Sequence, residues 1–377
     1  MSIAARFNAV SIGLRATTTV AARRLTMPRA SGLRRLYLCI ADHFEPQVGG
    51  APSGVARSRV EEWVDRYGEI ASRHRDADGR PPQHTFFYPW DEFDPWEMRR
   101  IAALCSSGCG EVELHLHHAN DTSRSLRDKI RAAVGAFRDA GCLSIWPDGR
   151  PAFGFVHGNW ALDNSRIENG RNYCGVNDEI RLLAQEGCYA DFTFPAWPQI
   201  SQPRTTNAIY YATDDPARPK SHDTGEPARA GRRTEGDLLI VQGPLAPFVK
   251  RTAGVPRIGM DDGDLAGYRR YAPERLDRWV RAGVHVAGRP DCILVKLHCH
   301  GCDDRSRGPL LGADLDALFA DAAARYNDGV RWSLHYVSAR ETFNVIRAIE
   351  TGADPSTSRD LILPRPSCGA ELAAACP

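Results

Sequence analysis

Imidazole and carboxylate side chains gather where the apolar runs of this 377-residue chain stop. The run RRLYLCIA (34–41) is followed by Asp42, His43 and Glu45. EVELHLH (111–117) carries Glu113, His115 and His117 and leads into His118 and Asp121. AFGFV (152–156) leads into His157, Asn159 and Trp160, and CILVKLH (292–298) ends in His298, with His300 two residues on. Seven of the twelve histidines therefore sit at four run ends. Imidazole with carboxylate is the ligand chemistry of Zn²⁺ and related divalent ions. Three protein ligands leave a position open for water, which the ion acidifies. His115 and His117 are two residues apart, so on a strand they share a face and can enter one pocket. His118 opens the loop that follows, and Asp42 or His43 could complete a set across the pocket. The candidate ligands are His43, His115, His117 and His118. A spare carboxylate, Asp42, could take a proton from water, and His298 on another run could protonate a leaving group. Glu45, Asp91, His157, Asn159 and His300 are candidates for holding substrate. Trp90, Trp160 and Trp197, near run ends, offer apolar ring faces to a substrate.

These ends converge only if the runs are parallel strands. Eight β-type runs occur: 34–41, 84–90, 111–117, 152–156, 189–194, 238–243, 292–298 and 331–337. Between them lie helical patterns over 57–74, 96–105, 123–140, 176–186, 264–282, 310–326 and 338–350. Alternation of this kind predicts an α/β fold, a parallel sheet covered by helices. Eight strands favour a (β/α) barrel, distorted or incomplete with seven or eight strands, whose site lies at the C-terminal rim. A doubly wound nucleotide fold ranks second, because neither G-x-G-x-x-G nor G-x-x-x-x-G-K-[ST] is present. Residues 200–235, rich in proline and charge, read as an insertion over the barrel mouth.

The catalytic domain so defined spans 34–350. Residues 1–35 contain seven arginines and no acid, so 1–33 reads as a basic N-terminal tail. Its composition suits a mitochondrial leader or a tail ahead of a later start at Met27. Residues 351–377 read as a C-terminal surface tail. With 48 basic and 47 acidic residues the formal net charge is +1, which excludes nucleic-acid binding by field alone. No apolar run approaches the ~18 residues of a membrane span. Eleven cysteines in so long a chain fit free thiols in a reducing compartment, and the expected location is cytoplasmic.

The order of these motifs over residues 34–350 resembles the polysaccharide deacetylase superfamily, the carbohydrate esterases of the nodulation-deacetylase type. Ile40-Ala41-Asp42-His43 stands where that family has Thr-Phe-Asp-Asp-Gly, which makes Asp42 the base and puts His43 in place of the ligand aspartate. Glu111 to His115 resembles the start of the second motif, and Leu297-His298 the late Leu-x-His whose histidine is the acid. Phe155 to Trp160 stands at the station of the family's Arg-x-Pro motif. The resemblance implies a distorted (β/α) barrel and a metal-dependent hydrolase that removes an acetyl group from an amino sugar of a polysaccharide or glycan precursor. It also implies a place in polysaccharide biosynthesis and a carbohydrate partner. Two other readings are open: a glycoside hydrolase using paired carboxylates among Asp42, Glu45, Asp91 and Glu113, and a non-catalytic sugar- or metal-binding protein.

Overall fold

The computed structural model describes residues 3–26, 32–252 and 255–368. All eight expected strands form: β1 (Arg34–His43), β2 (His84–Pro89), β3 (Gly110–Leu116), β4 (Pro151–His157), β5 (Cys188–Asp191), β6 (Leu238–Val241), β7 (Cys292–Cys299) and β8 (Trp332–Tyr336). They are mutually parallel, in the order β6-β5-β4-β3-β2-β1-β7. β8 pairs with Arg34–Leu38 of β1, on the flank where Ile40–His43 pair with β2, so the sheet forks at Cys39. Among the described residues no ladder joins β6 to β7. The expected barrel is thus an open, mostly parallel sheet. At the gap, Lys296 of β7 donates from Nζ to the Phe192 and Phe194 carbonyls beyond β5, at 2.5 and 2.7 Å.

Strand alternation sorts the core into two layers. Leu36, Leu38 and Ile40 of β1, Val112 and Leu114 of β3, and Val295 and Leu297 of β7 pack with the helices α2 (Ser53–Ser72), α3 (Pro95–Leu104), α4 (Ser123–Asp139), α5 (Glu179–Gln185), α6 (Pro273–Ala282) and α7 (Leu315–Tyr326). The other face carries Tyr37, Cys39, Ala41, Phe87, Val156 and Leu294. Its lower part is covered by α8 (Ala339–Thr351), whose Phe343, Val345 and Ile346 join the same layer. Helix α8 is buried even at Arg340, which reaches both carboxylate oxygens of Glu111. An eight-stranded closed barrel has room only for side chains, so a helix seated on this face fits an open sheet.

Four expectations are corrected. Residues 200–235 are not only a covering loop: Ile209–Ala212 pairs antiparallel with β6 and Glu226–Pro227 pairs beyond it, so the insertion widens the sheet edge. The helix expected over 264–282 starts at Pro273, and Asp264–Leu265 pairs with His298–Cys299 instead. The basic segment forms a helix, α1 (Ile3–Thr26), rather than a free tail. Its Ile12 and Ala16 are buried against Leu245 and Met260, and Arg23 donates to the Asn207 and Ala282 carbonyls. Burying a side chain such as Ile12 contributes roughly 1.5–3 kcal/mol, enough to hold an arginine-rich helix on its neighbour. At the other end, Leu363 is buried and Ser144 donates to the Pro364 carbonyl at 2.6 Å, so this segment packs onto the domain.

Candidate metal centre

The register sets the histidine-bearing ends at one rim. Asp42 stands opposite Cys299, Pro89 opposite His115, and Leu116 opposite His157. Alternation then divides the candidates. His43, His115 and His298 share the face of Ala41 and Leu294, whereas Asp42, His118 and His157 turn toward the helices.

On the first side, His43, Glu45 and His115 present donor atoms that all lie within 4.8 Å of one another, close enough to hold a metal ion. Glu45 Oε1 is 3.0 Å from His115 Nε2 and 3.1 Å from His117 Nε2, and Glu45 Oε2 is 3.5 Å from His300 Nδ1. The His43 ring lies 4.7 Å from His300 and 5.3 Å from Trp160. Burial holds both His43 and His115 below the ordinary imidazole range, and for His43 the neighbouring His300 and His115 add to this. Burial alone would raise Glu45, but hydrogen bonds from His115, His117 and His300 hold it well below the usual carboxylate range. Two neutral imidazoles and a carboxylate are the donor set a zinc-type ion requires, with a position left open. The fit is sharpened by Nδ1 of His43, which is buried and has no partner. His117 stands beside this set. Burial opposes its charge, but its bonds to Asp91 at 3.1 Å and to Glu45 raise it to about 10. An imidazole claimed by a carboxylate at each nitrogen serves as a clamp on Glu45 rather than as a free donor.

A cavity of about 180 Å³ opens next to the set, walled by Trp160, Trp197, Asp262, Asp264, Tyr268, His298 and His300. His298 Nε2 lies 4.0 Å from Asp264 Oδ1, a buried oxygen without a hydrogen-bond partner. Burial holds His298 down to about 3. Burial also pushes Asp262 up to about 6. Trp197 is fixed by donation from Nε1 to the Ala9 carbonyl of α1 at 3.1 Å, so the basic helix supports the cavity wall.

Six expected site residues are placed elsewhere. Asp42 is fully buried on the helix side; its carboxylate accepts from Gly301 N at 2.7 Å and sits 2.9 Å from His84 Nε2. A Cβ on Gly301 would come within 2.1 Å of that carboxylate, so the glycine is what lets the loop seal it. Asp42 therefore cannot serve as the base at the rim, because adjacent strand residues face opposite ways. His118 joins His157 in a separate buried group with Cys174 and Glu179. Asn159 is structural: Nδ2 donates to the His118 carbonyl at 2.9 Å. Trp90 packs on Phe93 at 5.2 Å among the helix-side residues, and Asp91 meets His117 rather than the cavity.

Asp262, Asp264, Cys174 and Glu179 were not singled out from sequence. The two aspartates fall in Asp261-Asp262-Gly263-Asp264, a run whose acids suit a helix start equally well. Two further groups occur: Asp76, Asp78 and His335 are bridged by Arg359, and Cys299 lies buried with Asp42 and His84. The ten described cysteines are all free and buried. Among the described residues no helix is long and apolar enough to cross a membrane. No protein-family model matches the chain, and no curated protein is significantly similar to it.

Proposed function

We propose that the chain is a metal-dependent hydrolase that removes an acetyl group from an N-acetylated amino sugar, a divergent relative of the polysaccharide deacetylases on an incomplete (β/α) barrel. The observation that carries this reading is the pairing of a His43–Glu45–His115 donor set with a tryptophan-walled cavity containing a neutral histidine. Zn²⁺ or a similar divalent ion held there supplies Lewis acidity toward water and toward an amide carbonyl. Trp160 and Trp197 hold a sugar ring in the cavity and keep solvent from it. His298, neutral because it is buried, accepts the proton of the attacking water at Nε2. Asp264 faces the imidazolium that forms and steadies it. His298 then returns the proton to the departing amine, so one residue takes the roles first divided between Asp42 and His298. The paired-carboxylate reading loses Asp42 and Glu113, both buried away from the cavity.

The test is acetate release from N-acetylglucosamine oligomers by the purified chain. Release is expected to stop on chelation, to return with Zn²⁺, and to be absent from His43→Ala. Release that persists at full rate in a chelator would end the proposal.

A further inference from the structure

The second buried group belongs to neither the cavity nor the donor set at the rim. His118 follows β3, His157 ends β4, Cys174 lies in the long connection after β4, and Glu179 begins α5. All four are buried, and their donor atoms lie within 4.8 Å of one another. His118 Nε2 is 2.9 Å from Glu179 Oε1, Cys174 Sγ is 3.3 Å from Glu179 Oε2, and His157 Nε2 is 3.9 Å from Glu179 Oε1. A tetrahedral zinc with bonds of about 2.0–2.3 Å spaces its ligand atoms roughly 3.3–3.8 Å apart.

Protons alone leave this group incomplete. A protonated His118 is served by Glu179 and, 3.2 Å away, by Asp121; the Cys174 thiol is served by Glu179. Nε2 of His157 is left fully buried with no hydrogen-bond partner, and it points at the same carboxylate. Its other nitrogen is already committed, accepting from Asn159 N at 3.2 Å. An accepting Nδ1 means that the neutral ring carries its proton on Nε2, aimed at an oxygen too distant to bond. A cation at the centre takes the Nε2 lone pair directly, with the ring proton moving to Nδ1 at the expense of the long 3.2 Å bond from Asn159 N.

We propose that His118, His157, Cys174 and Glu179 form a second, structural site for a tetrahedral divalent transition metal of the zinc type. Two imidazoles, a thiolate and a carboxylate balance the dication, so the filled site is neutral in a sealed interior. Loading releases two protons to solvent, the Cys174 thiol proton and the second proton of a charged His118, and each bound ring keeps one N–H and stays neutral. With four protein ligands no position stays open, which makes the site structural rather than catalytic. Its effect is to pin the connection between β4 and α5. That connection carries left-handed backbone at Trp160, Asp163, Asn164 and Asn169, and Trp160 is a wall of the cavity. Gly175, at φ +102°, lets the Cys174 turn approach Asp121 so closely that a Cβ would lie 2.5 Å from its carbonyl oxygen.

Cobalt separates this site from the rim, which has no thiol. The full chain, produced in cobalt-supplemented medium, is expected to show thiolate-to-cobalt charge-transfer absorption. Cys174→Ser should abolish that band, and His43→Ala should retain it. A wild-type protein without the band, a band that survives in Cys174→Ser, or its loss in His43→Ala would overturn the proposal. His157→Gln keeps the thiol and offers a second arm: bound cobalt should fall by one equivalent per chain, and unchanged content would refute the site. Circular dichroism on each variant verifies that the fold is intact.

Discussion

The rim set and the sealed set are built from the same kinds of side chain at the ends of neighbouring strands, yet they differ in what surrounds them. His43, Glu45 and His115 lie beside His300 and Trp160, which wall the cavity, whereas His118, His157, Cys174 and Glu179 are buried on the helix side. At the rim, Glu45 is contested by three imidazoles, so its bonding can be redistributed when a ligand arrives. In the sealed set, Glu179 is also committed to the backbone N–H of Asp163 at 2.6 Å. Chemistry needs an open position and exchangeable partners. Architecture needs closed ones. The side of the strand decides which of the two a histidine serves.

The sharpest way to break this contrast is to remove one residue from each side. His115→Ala at the rim should cost several kcal/mol of transition-state stabilisation, on the order of 10³-fold in kcat/KM, with a small change in melting temperature. Rates of acetate release and thermal melts on the same preparation check both halves. An equal loss of stability would erase the distinction between the two sets.

Glu179→Ala should act in the opposite way. It leaves the Asp163 N–H, the Cys174 thiol and one nitrogen of His118 without an acceptor in a sealed interior. Breaking a buried ion pair from one side typically destabilises by about 3–5 kcal/mol. Denaturant unfolding measures this, and the fraction still folded should keep most of its activity per folded molecule.

Much of this arrangement was readable from the residues. The eight β-type runs place all eight central strands, because buried parallel strands need continuous apolar stretches that little else in the chain imitates. Alternation was readable too. Asp42 and His43 are adjacent on β1, and adjacent strand residues cannot enter one pocket; admitting both to it assigned Asp42 to the wrong face. In the N-terminal segment, Ala9, Ile12, Ala16 and Val20 recur at helical spacing and all become buried, a stripe that the arginines within and around it hide. Cys174 and Glu179 carried no such signal. They come from an irregular connection and a short helix, and only the folded path of that connection brings them to His118. Closure of the barrel was equally beyond sequence, since it depends on whether β6 meets β7 and not on either strand alone.

A smaller effect sharpens the rim side. Trp160 lies 5.3 Å from His43 and 5.5 Å from His300 and forms a wall of the cavity. Ring stacking of this kind contributes about 0.5–1.5 kcal/mol, so Trp160→Ala should raise KM up to roughly tenfold. The effect on kcat should be the smaller one if the residue binds sugar. A loss confined to kcat would instead make the indole a support for His43, which steady-state kinetics at saturating substrate can tell apart.

The gentlest prediction concerns acid. Loss of activity below pH 6 has two possible sources, protonation of the rim ligands and unfolding, and His222 separates them. This residue is fully buried in the insertion, stacked on Phe194 at 4.8 Å, and is a member of neither histidine set. Burial, and then Lys220 nearby, hold its imidazole down to about 3. The folded chain therefore keeps His222 neutral where the unfolded chain, with an ordinary value near 6.5, takes up a proton. Above pH 6.5 the two states match and nothing is lost. Between 6.5 and about 3 the unfolded state binds more protons, so stability falls as pH falls, by up to about 1.4 kcal/mol per pH unit for one such group. His222→Gln removes that proton uptake, so unfolding free energy measured from pH 6.5 to 4 should decline less steeply than in the wild type. Activity should still fall over the same range, because the imidazoles at the rim are untouched. An activity profile that flattens together with the stability profile would mean that acid acts on the fold, and that the rim histidines do not titrate as metal ligands.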